Sequence, residues 1–493
     1  MFGKSVKPVV YTVIDGMSVE ALEQAIAGGK APALAFLKSR SSYARDGVAV
    51  FPTITPAATA SLVTGETPDR HGIPGMCWYD RDAERFVNYG QSPRAAVVEG
   101  LSQVVEDALG NLNRHHLSPN VRTLHESLHD LGRVSASINY MVFRGPYLHR
   151  TKPNIVEKLM FHRQLPKTLP GPKEHYFADV VKGPSNGCNK NLPKRGLDKR
   201  ISATDGYASC VTRGLLEKEA VDLILFYLHE NDHVSHRQGP QGQVDSLASA
   251  DAHIAYVLEA FGSWEETLDR VEFVVTADHS QSPISDQEDH ILDLPEILDD
   301  FKQVPYQRGK ERFKSNDVAI AGNGRVAFFY LNPKRRATLV EPVARALFEH
   351  PGVDQTMWRD GDTYVVDSQR GRLRFWEEGD VTDDRGNSWG FQGDLGAVSG
   401  VAEGGSIRTP EYPLAFWRIK HALDLNRVGD IVATMSLTYE CKDLGGGDHR
   451  GGGDHASLHV QDSIIPFMST IGNAPLRPVT TDVVPHILDH FTP

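Results

Sequence analysis

Three observations predict an α/β fold: a three-layer sandwich with a mostly parallel central sheet, helices on both faces and a smaller inserted α+β subdomain. Short apolar, β-rich runs alternate with amphipathic helical stretches along the chain. Ionisable residues stand just past the C-terminal ends of several of those runs, where ligands bind in open α/β sheets. A long mixed segment, about 286–444, then interrupts the alternation before it resumes.

The elements follow in order. Val9–Ile14 is an apolar hexapeptide ended by Asp-Gly, as a buried parallel strand is. Ser18–Ser39 has helical periodicity, broken in two by Gly28–Gly29 and Pro32. Val48–Phe51 is a second strand candidate, and Glu99–Leu112 and Val121–Leu131 read as amphipathic helices. Ser135–Tyr140, Leu223–Leu228 and Val271–Thr276 return to strand character. Lys152–Arg200 is rich in Pro, Gly and Lys without clear periodicity, and reads as a loop excursion at about 150–205. Inside 286–444, Arg325–Leu331 and Thr363–Asp367 read as strands and Ala337–Glu349 as a helix, before the aromatic-rich stretch Tyr412–Trp417. Residues 1–285 and 445–493 would then form the core, with 286–444 inserted. The run GGGDHRGGGDH at 445–455 is a small internal repeat whose glycines imply a tightly bent backbone.

Bulk properties narrow the function. The 493 residues, with 40% hydrophobic and 24% charged content, are those of a soluble globular protein with a large core. A net charge of −12 argues against general nucleic-acid binding. Residues 150–200 depart from that balance, with 12 Lys/Arg against 4 Asp/Glu; they are either a solvated loop or an electropositive wall for an anionic substrate. Four cysteines are too few for a disulfide framework, although one pair stays open. The start has no signal-peptide pattern and no run reaches membrane-spanning length, so the expectation is a cytoplasmic protein without a membrane partner.

The chemistry lies in five scattered stretches, which offer Asp15, Thr55, Asp232, His236, Asp278, His279 and His455. Three carboxylates, three imidazoles and a hydroxyl are the inventory of a two-metal hydrolytic centre. Thr55 precedes a predicted helix, Ala57–Thr64, whose N-terminus favours an anion; as an isolated residue it reads as an ordinary N-cap. Thr53 and Thr59 compete with it. Asp232 and His236, at i and i+4, share a helical face, with His229, Glu230 and His233 crowding the segment. His455 has His449 and His459 as rivals.

As a set, these stretches resemble the alkaline phosphatase superfamily in its type I phosphodiesterase/nucleotide pyrophosphatase branch. FPTITPAATASLVTGETPDRHGI is similar to the branch's nucleophile segment, with Trp78–Asp80 in register after it. HENDHVSHRQGP resembles its D-x-x-x-H-x-x-G-P motif, TADHSQ its strand-end Asp-His pair, and HASLHVQDSIIPF its final metal-binding segment. The resemblance implies an alkaline-phosphatase-like fold and two divalent metals, zinc with manganese or iron as alternatives. Asp15, Thr55, Asp278 and His279 would hold one, and Asp232, His236 and His455 the other. It implies attack of the Thr55 oxygen on phosphorus and a phospho-threonine intermediate. The substrate would be a small phosphate ester, a diester or nucleotide-like pyrophosphate. A phosphomonoesterase or phosphonate (C–P) hydrolase is the alternative enzyme, and a non-catalytic anion-binding protein the alternative of another class.

One departure stands out. Where the branch carries an Asn that donates to a phosphoryl oxygen, this chain has Met76, and a thioether cannot donate. His71, Arg70 or a residue of the basic region would have to replace it. Trp78 and Tyr79 are candidates to stack on a flat substrate group, or else core residues.

Overall fold

The computed structural model describes residues 6–151, 166–178, 180–182, 188, 204–307, 313–443 and 447–492. The basic excursion therefore lies largely outside the described residues. Strands β1 (Val9–Ile14), β2 (Ser42–Val48), β3 (Ser135–Ile138), β4 (Glu174–Tyr176), β5 (Leu223–Leu228), β6 (Glu272–Thr276) and, from far along the chain, β13 (Ile464–Ser469) form a seven-stranded sheet ordered β2-β13-β6-β1-β5-β3-β4. Every pairing from β6 to β4 is parallel; β13 alone runs against the rest. All six residues of β1 and of β5 are buried, which explains their unbroken apolar runs.

Helices cover both faces. On one side α1 (Val19–Ala27), α2 (Pro32–Ser39), α5 (Asp205–Glu217) and α7 (Gln243–Leu258) enclose a core of Val10, Ile14, Leu22, Ile224 and Phe273. On the other, α3 (Thr55–Thr64), α4 (Leu124–Asp130) and α8 (Val483–Phe491) pack over Tyr11, Val13 and Leu225. Helix α6 (Glu230–Gln238) follows β5 directly. The expected break at Gly28–Pro32 is present, with Ser18 capping α1 and Pro32 opening α2.

Two expectations shift. The second strand ends where it was expected to begin, at Val48, because the half-exposed SYARDGV pairs along the sheet edge with β13. The stretch from Glu99 breaks into a short helix, Leu101–Val105, and a wider π-helical coil, Glu106–His116.

Strands β7 (Val318–Asn323), β8 (Val326–Leu331), β9 (Val353–Asp360), β10 (Thr363–Ser368), β11 (Gly371–Thr382) and β12 (Ile431–Met435) belong to a second sheet of nine strands. The chain enters and leaves this region side by side, Ile291–Leu292 pairing with Glu440–Cys441. The apolar core is continuous across both sheets, joining Tyr11 and Phe51 to Phe328 and Trp389. Cys188 and Cys210 form a disulfide, while Cys77 and Cys441 are free and buried. Among the described residues no helix is long and apolar enough to cross a membrane.

Candidate metal centre

Strands β6, β1 and β5 lie side by side and in parallel, so their C-terminal ends open on one place. Asp15 directly follows β1, Asp278 stands two residues past β6, and Asp232 is in the first turn of α6, just past β5. The sheet's connectivity thus converges three carboxylates spread along the chain from position 15 to position 278.

Asp15, Asp278 and His279 form one set, with ligand atoms within 4.8 Å of one another; Asp232, His236 and His455 form another. In the first, His279 Nε2 lies 3.5 Å from Asp15 Oδ1 and 3.7 Å from Asp278 Oδ2. In the second, Asp232 Oδ2 is 3.2 Å from His236 Nε2 and its Oδ1 3.9 Å from His455 Nε2. Ligand atoms around a tetrahedral zinc stand about 3.3 Å apart, given bonds of roughly 2.0–2.1 Å, and these separations match. The sets adjoin, since the His279 and His455 rings stack with centroids 3.6 Å apart.

The outer contacts orient every imidazole the same way. His279 Nδ1 is 3.1 Å from the Ser280 carbonyl, His236 Nδ1 2.8 Å from that of Gly453, and His455 Nδ1 2.7 Å from that of Thr53. Each Nδ1–H is thereby committed to the backbone, leaving Nε2 as a lone-pair donor toward the centre, as metal-binding histidines require. Asp15 Oδ1 and Asp278 Oδ2 are buried without any hydrogen-bond partner. Burial, then the Asp278 and Asp232 charges, push the Asp15 carboxyl well up; burial also raises Asp278 and lowers His455. Orphaned carboxylate oxygens facing free imidazole nitrogens are the state that divalent cations satisfy, so the donor set fits two such ions.

Thr55 is the first residue of α3, and its Oγ1 lies 3.1 Å from His279 Nε2. The N-cap is Ile54, so the hydroxyl is not spent on capping. Its rivals are committed elsewhere: Thr53 Oγ1 donates to the Ser457 carbonyl and Thr59 Oγ1 to that of Thr55. His229 pairs with Asp205, His449 with Glu440, and His459 caps the Val460–Ser463 turn.

Other sequence candidates fall differently. Trp78 and Tyr79 are 1% exposed; Trp78 Nε1 donates to the Tyr89 hydroxyl, and Tyr79 packs on Phe86, Phe313 and Tyr330. They pack as core rings, the other of the two expectations stated for them. Met76 is half-buried against the same core. His71 does not replace the missing Asn: its Nδ1 accepts from Ile73 N–H, its Nε2 lies 3.1 Å from Ser61 Oγ, and burial lowers it to about 3. Two contributors were missed. Tyr227 hydroxyl donates to Asp15 Oδ2, and Gln281 Nε2 donates to Asp232 Oδ1. Gln281 was within the quoted TADHSQ; Tyr227 carried no signal beyond its place near the end of β5.

Residues 9–456 match the family model for type I phosphodiesterase/nucleotide pyrophosphatase. Among solved structures, the chain is similar to murine ectonucleotide pyrophosphatase/phosphodiesterase 5, at 12% identity over 98% of this chain and 95% of that one, with a TM-score of 0.57. An inactive form of that protein in complex with AMP matches at 13% identity and TM-score 0.54, over 98% and 95% of the two chains. Phosphonoacetate hydrolase from Sinorhizobium meliloti 1021, in complex with phosphonoacetate, matches at 16% identity over 99% and 96%, with a TM-score of 0.55. These likenesses share the α/β, alkaline-phosphatase-like fold. With the family model spanning nearly the whole sequence, the chain belongs to the type I phosphodiesterase/nucleotide pyrophosphatase family.

Proposed function

We propose that the protein is a two-metal hydrolase of phosphate esters, a phosphodiesterase or nucleotide pyrophosphatase, with Thr55 as nucleophile. The observation that carries this reading is Thr55 Oγ1 at 3.1 Å from His279 Nε2, beside two complete ligand sets. Asp15, Asp278 and His279, with Thr55, would hold one ion, and Asp232, His236 and His455 the other; zinc suits this mixture of imidazole and carboxylate. When bound, the ions supply Lewis acidity and neutralise phosphate charge.

The chain's own residues do the rest. Thr55 Oγ bonds to phosphorus as the ester oxygen departs, giving phospho-Thr55, which water then hydrolyses. The α3 N-terminus, with no side-chain cap, favours the anion at that oxygen. Asn231 fixes the Asp15 carbonyl at 2.8 Å, and Gly16 lets Asp232 approach: a Cβ there would stand 2.9 Å from Asp232 Oδ1.

The substrate is a small phosphate ester of the nucleotide type. Met76 favours a second reading, C–P hydrolysis of a phosphonate, because a thioether, which cannot donate, occupies the position where the family resemblance expects an Asn. A non-catalytic anion binder is disfavoured by the completeness of both ligand sets. The Cys188–Cys210 disulfide counts against a reducing cytosol and favours an oxidising compartment.

Rates on bis-p-nitrophenyl phosphate, p-nitrophenyl phosphate and phosphonoacetate test the reading, with Thr55→Ala as control. Diester turnover above the other two, abolished in the variant, is expected. Unchanged activity in Thr55→Ala would refute the nucleophile, and phosphonoacetate turnover alone would favour the second reading.

A further inference from the structure

We propose that His449, Glu440 and Asp454 form a third cation site, separate from the two sets above and built by the glycine-rich loop that also delivers His455. The repeat GGGDHRGGGDH carries two Asp-His pairs, and only the second His belongs to the centre already described. His449, from the first pair, lies over His236 with ring centroids 4.2 Å apart. Its Nδ1 is 2.9 Å from Glu440 Oε2 and 3.8 Å from Asp454 Oδ2.

The loop is held in place by close backbone approaches. The His449 backbone N–H donates to Glu440 Oε1. A Cβ on Gly452 would lie 2.0 Å from the His236 carbonyl oxygen, and one on Gly324, at the β7–β8 turn, 2.1 Å from Asp454 Oδ2. Only glycines let both elements press so closely on the site.

The hydrogen-bond count is what requires a ligand. Glu440 and Asp454 are 1% and 3% exposed. A ring Nδ1 carries a single N–H, and that of His449 points to Glu440, leaving Asp454 Oδ2 with no N–H or hydroxyl donor; a proton shared with the Glu440 carboxyl is all that pairs the two acids. A buried carboxylate oxygen left so is costly. A cation in place of that proton serves all three groups at once. The separations of 2.9 and 3.8 Å bracket the roughly 3.3 Å of a small tetrahedral site. One imidazole and two carboxylates suit a first-row divalent ion such as zinc or manganese. His236 also borders this group, its Nδ1 3.8 Å from Asp454 Oδ1, but that nitrogen is held at 2.8 Å by the Gly453 carbonyl, so the new site need not share a ligand with the centre.

This site rests on the two-metal reading of its neighbour, and one experiment separates their failures. Protein stripped with EDTA, reloaded with zinc and freed of excess by gel filtration is analysed for metal per chain. Wild type is expected to hold three ions, and Glu440→Gln and His449→Gln two each, with circular dichroism confirming that both variants fold. A wild-type count of two, or three ions retained in Glu440→Gln, would overturn the third site and leave the neighbouring centre intact. A wild-type count below two would overturn both.

Discussion

At the scale of single residues, the centre depends on which of several equivalent side chains is left uncommitted. Thr55 turns its hydroxyl to His279 Nε2, whereas Thr53 and Thr59 spend theirs on backbone carbonyls. Thr55→Ala should lower diester hydrolysis by about 10³-fold or more, read as kcat on bis-p-nitrophenyl phosphate with an unchanged melting curve. Buried histidines away from the centre give a second prediction. His125 is fully buried with Nε2 unpartnered, and burial lowers its imidazole to about 3. Between that value and the unfolded value of about 6.5, the unfolded chain binds a proton that the folded one excludes. Stability is therefore complete above pH 6.5 and falls as pH drops below it, by about 1.4 kcal/mol per unit for such a group. Denaturant melts at pH 7 and pH 5 should show His125→Gln losing about 2 kcal/mol less than wild type over that interval. Residue type and spacing left His449 as a rival to His455, and the family resemblance alone chose between them; the physical reason lies in backbone contacts such as His455 Nδ1 to the Thr53 carbonyl, 402 residues away.

At the scale of elements, the strand-end pattern was legible because buried parallel strands leave a plain signature. β1 and β5 appear where the apolar runs predicted them, and the i, i+4 pair Asp232–His236 lies on a helix as expected. The edge strand β2 was misplaced because its exposed, charged face carries no apolar alternation, and the antiparallel direction of β13 has no sequence mark at all. Turns matter as much as strands. Gly16 has φ +65°, and a Cβ there would crowd Asp232. Gly16→Ala should cost about 1–2 kcal/mol of stability and weaken zinc binding at the Asp232 set by roughly 10-fold, a loss of about 1.4 kcal/mol. Competition titration with a chromogenic chelator measures this; an unchanged affinity would mean that Asp232 is positioned without Gly16.

At the scale of the whole molecule, we propose that residues 286–444 form a subdomain inserted into a core of 1–285 and 445–493. The adjacent entry and exit strands support this division, although the continuous apolar core couples the two parts tightly. Arg325, at the β7–β8 turn, crosses between them. It is fully buried, its Nη1 lies 2.7 and 2.6 Å from the two Asp462 oxygens, and its backbone N–H donates to the His455 carbonyl at 3.0 Å. Arg325→Met strips the buried Asp462 carboxylate of its ion-pair partner and leaves it only the Ser282 and Ser457 donors, so a loss of about 3–5 kcal/mol is expected in denaturant melts. Loss below 1 kcal/mol would show that the second sheet does not brace the centre. The central claim remains that two ions flank Thr55. A crystal of the zinc-loaded protein, measured at the zinc edge, tests it most directly. The account predicts one anomalous peak among Asp15, Asp278, His279 and Thr55, and another among Asp232, His236 and His455; a map with no peak in either set would contradict it.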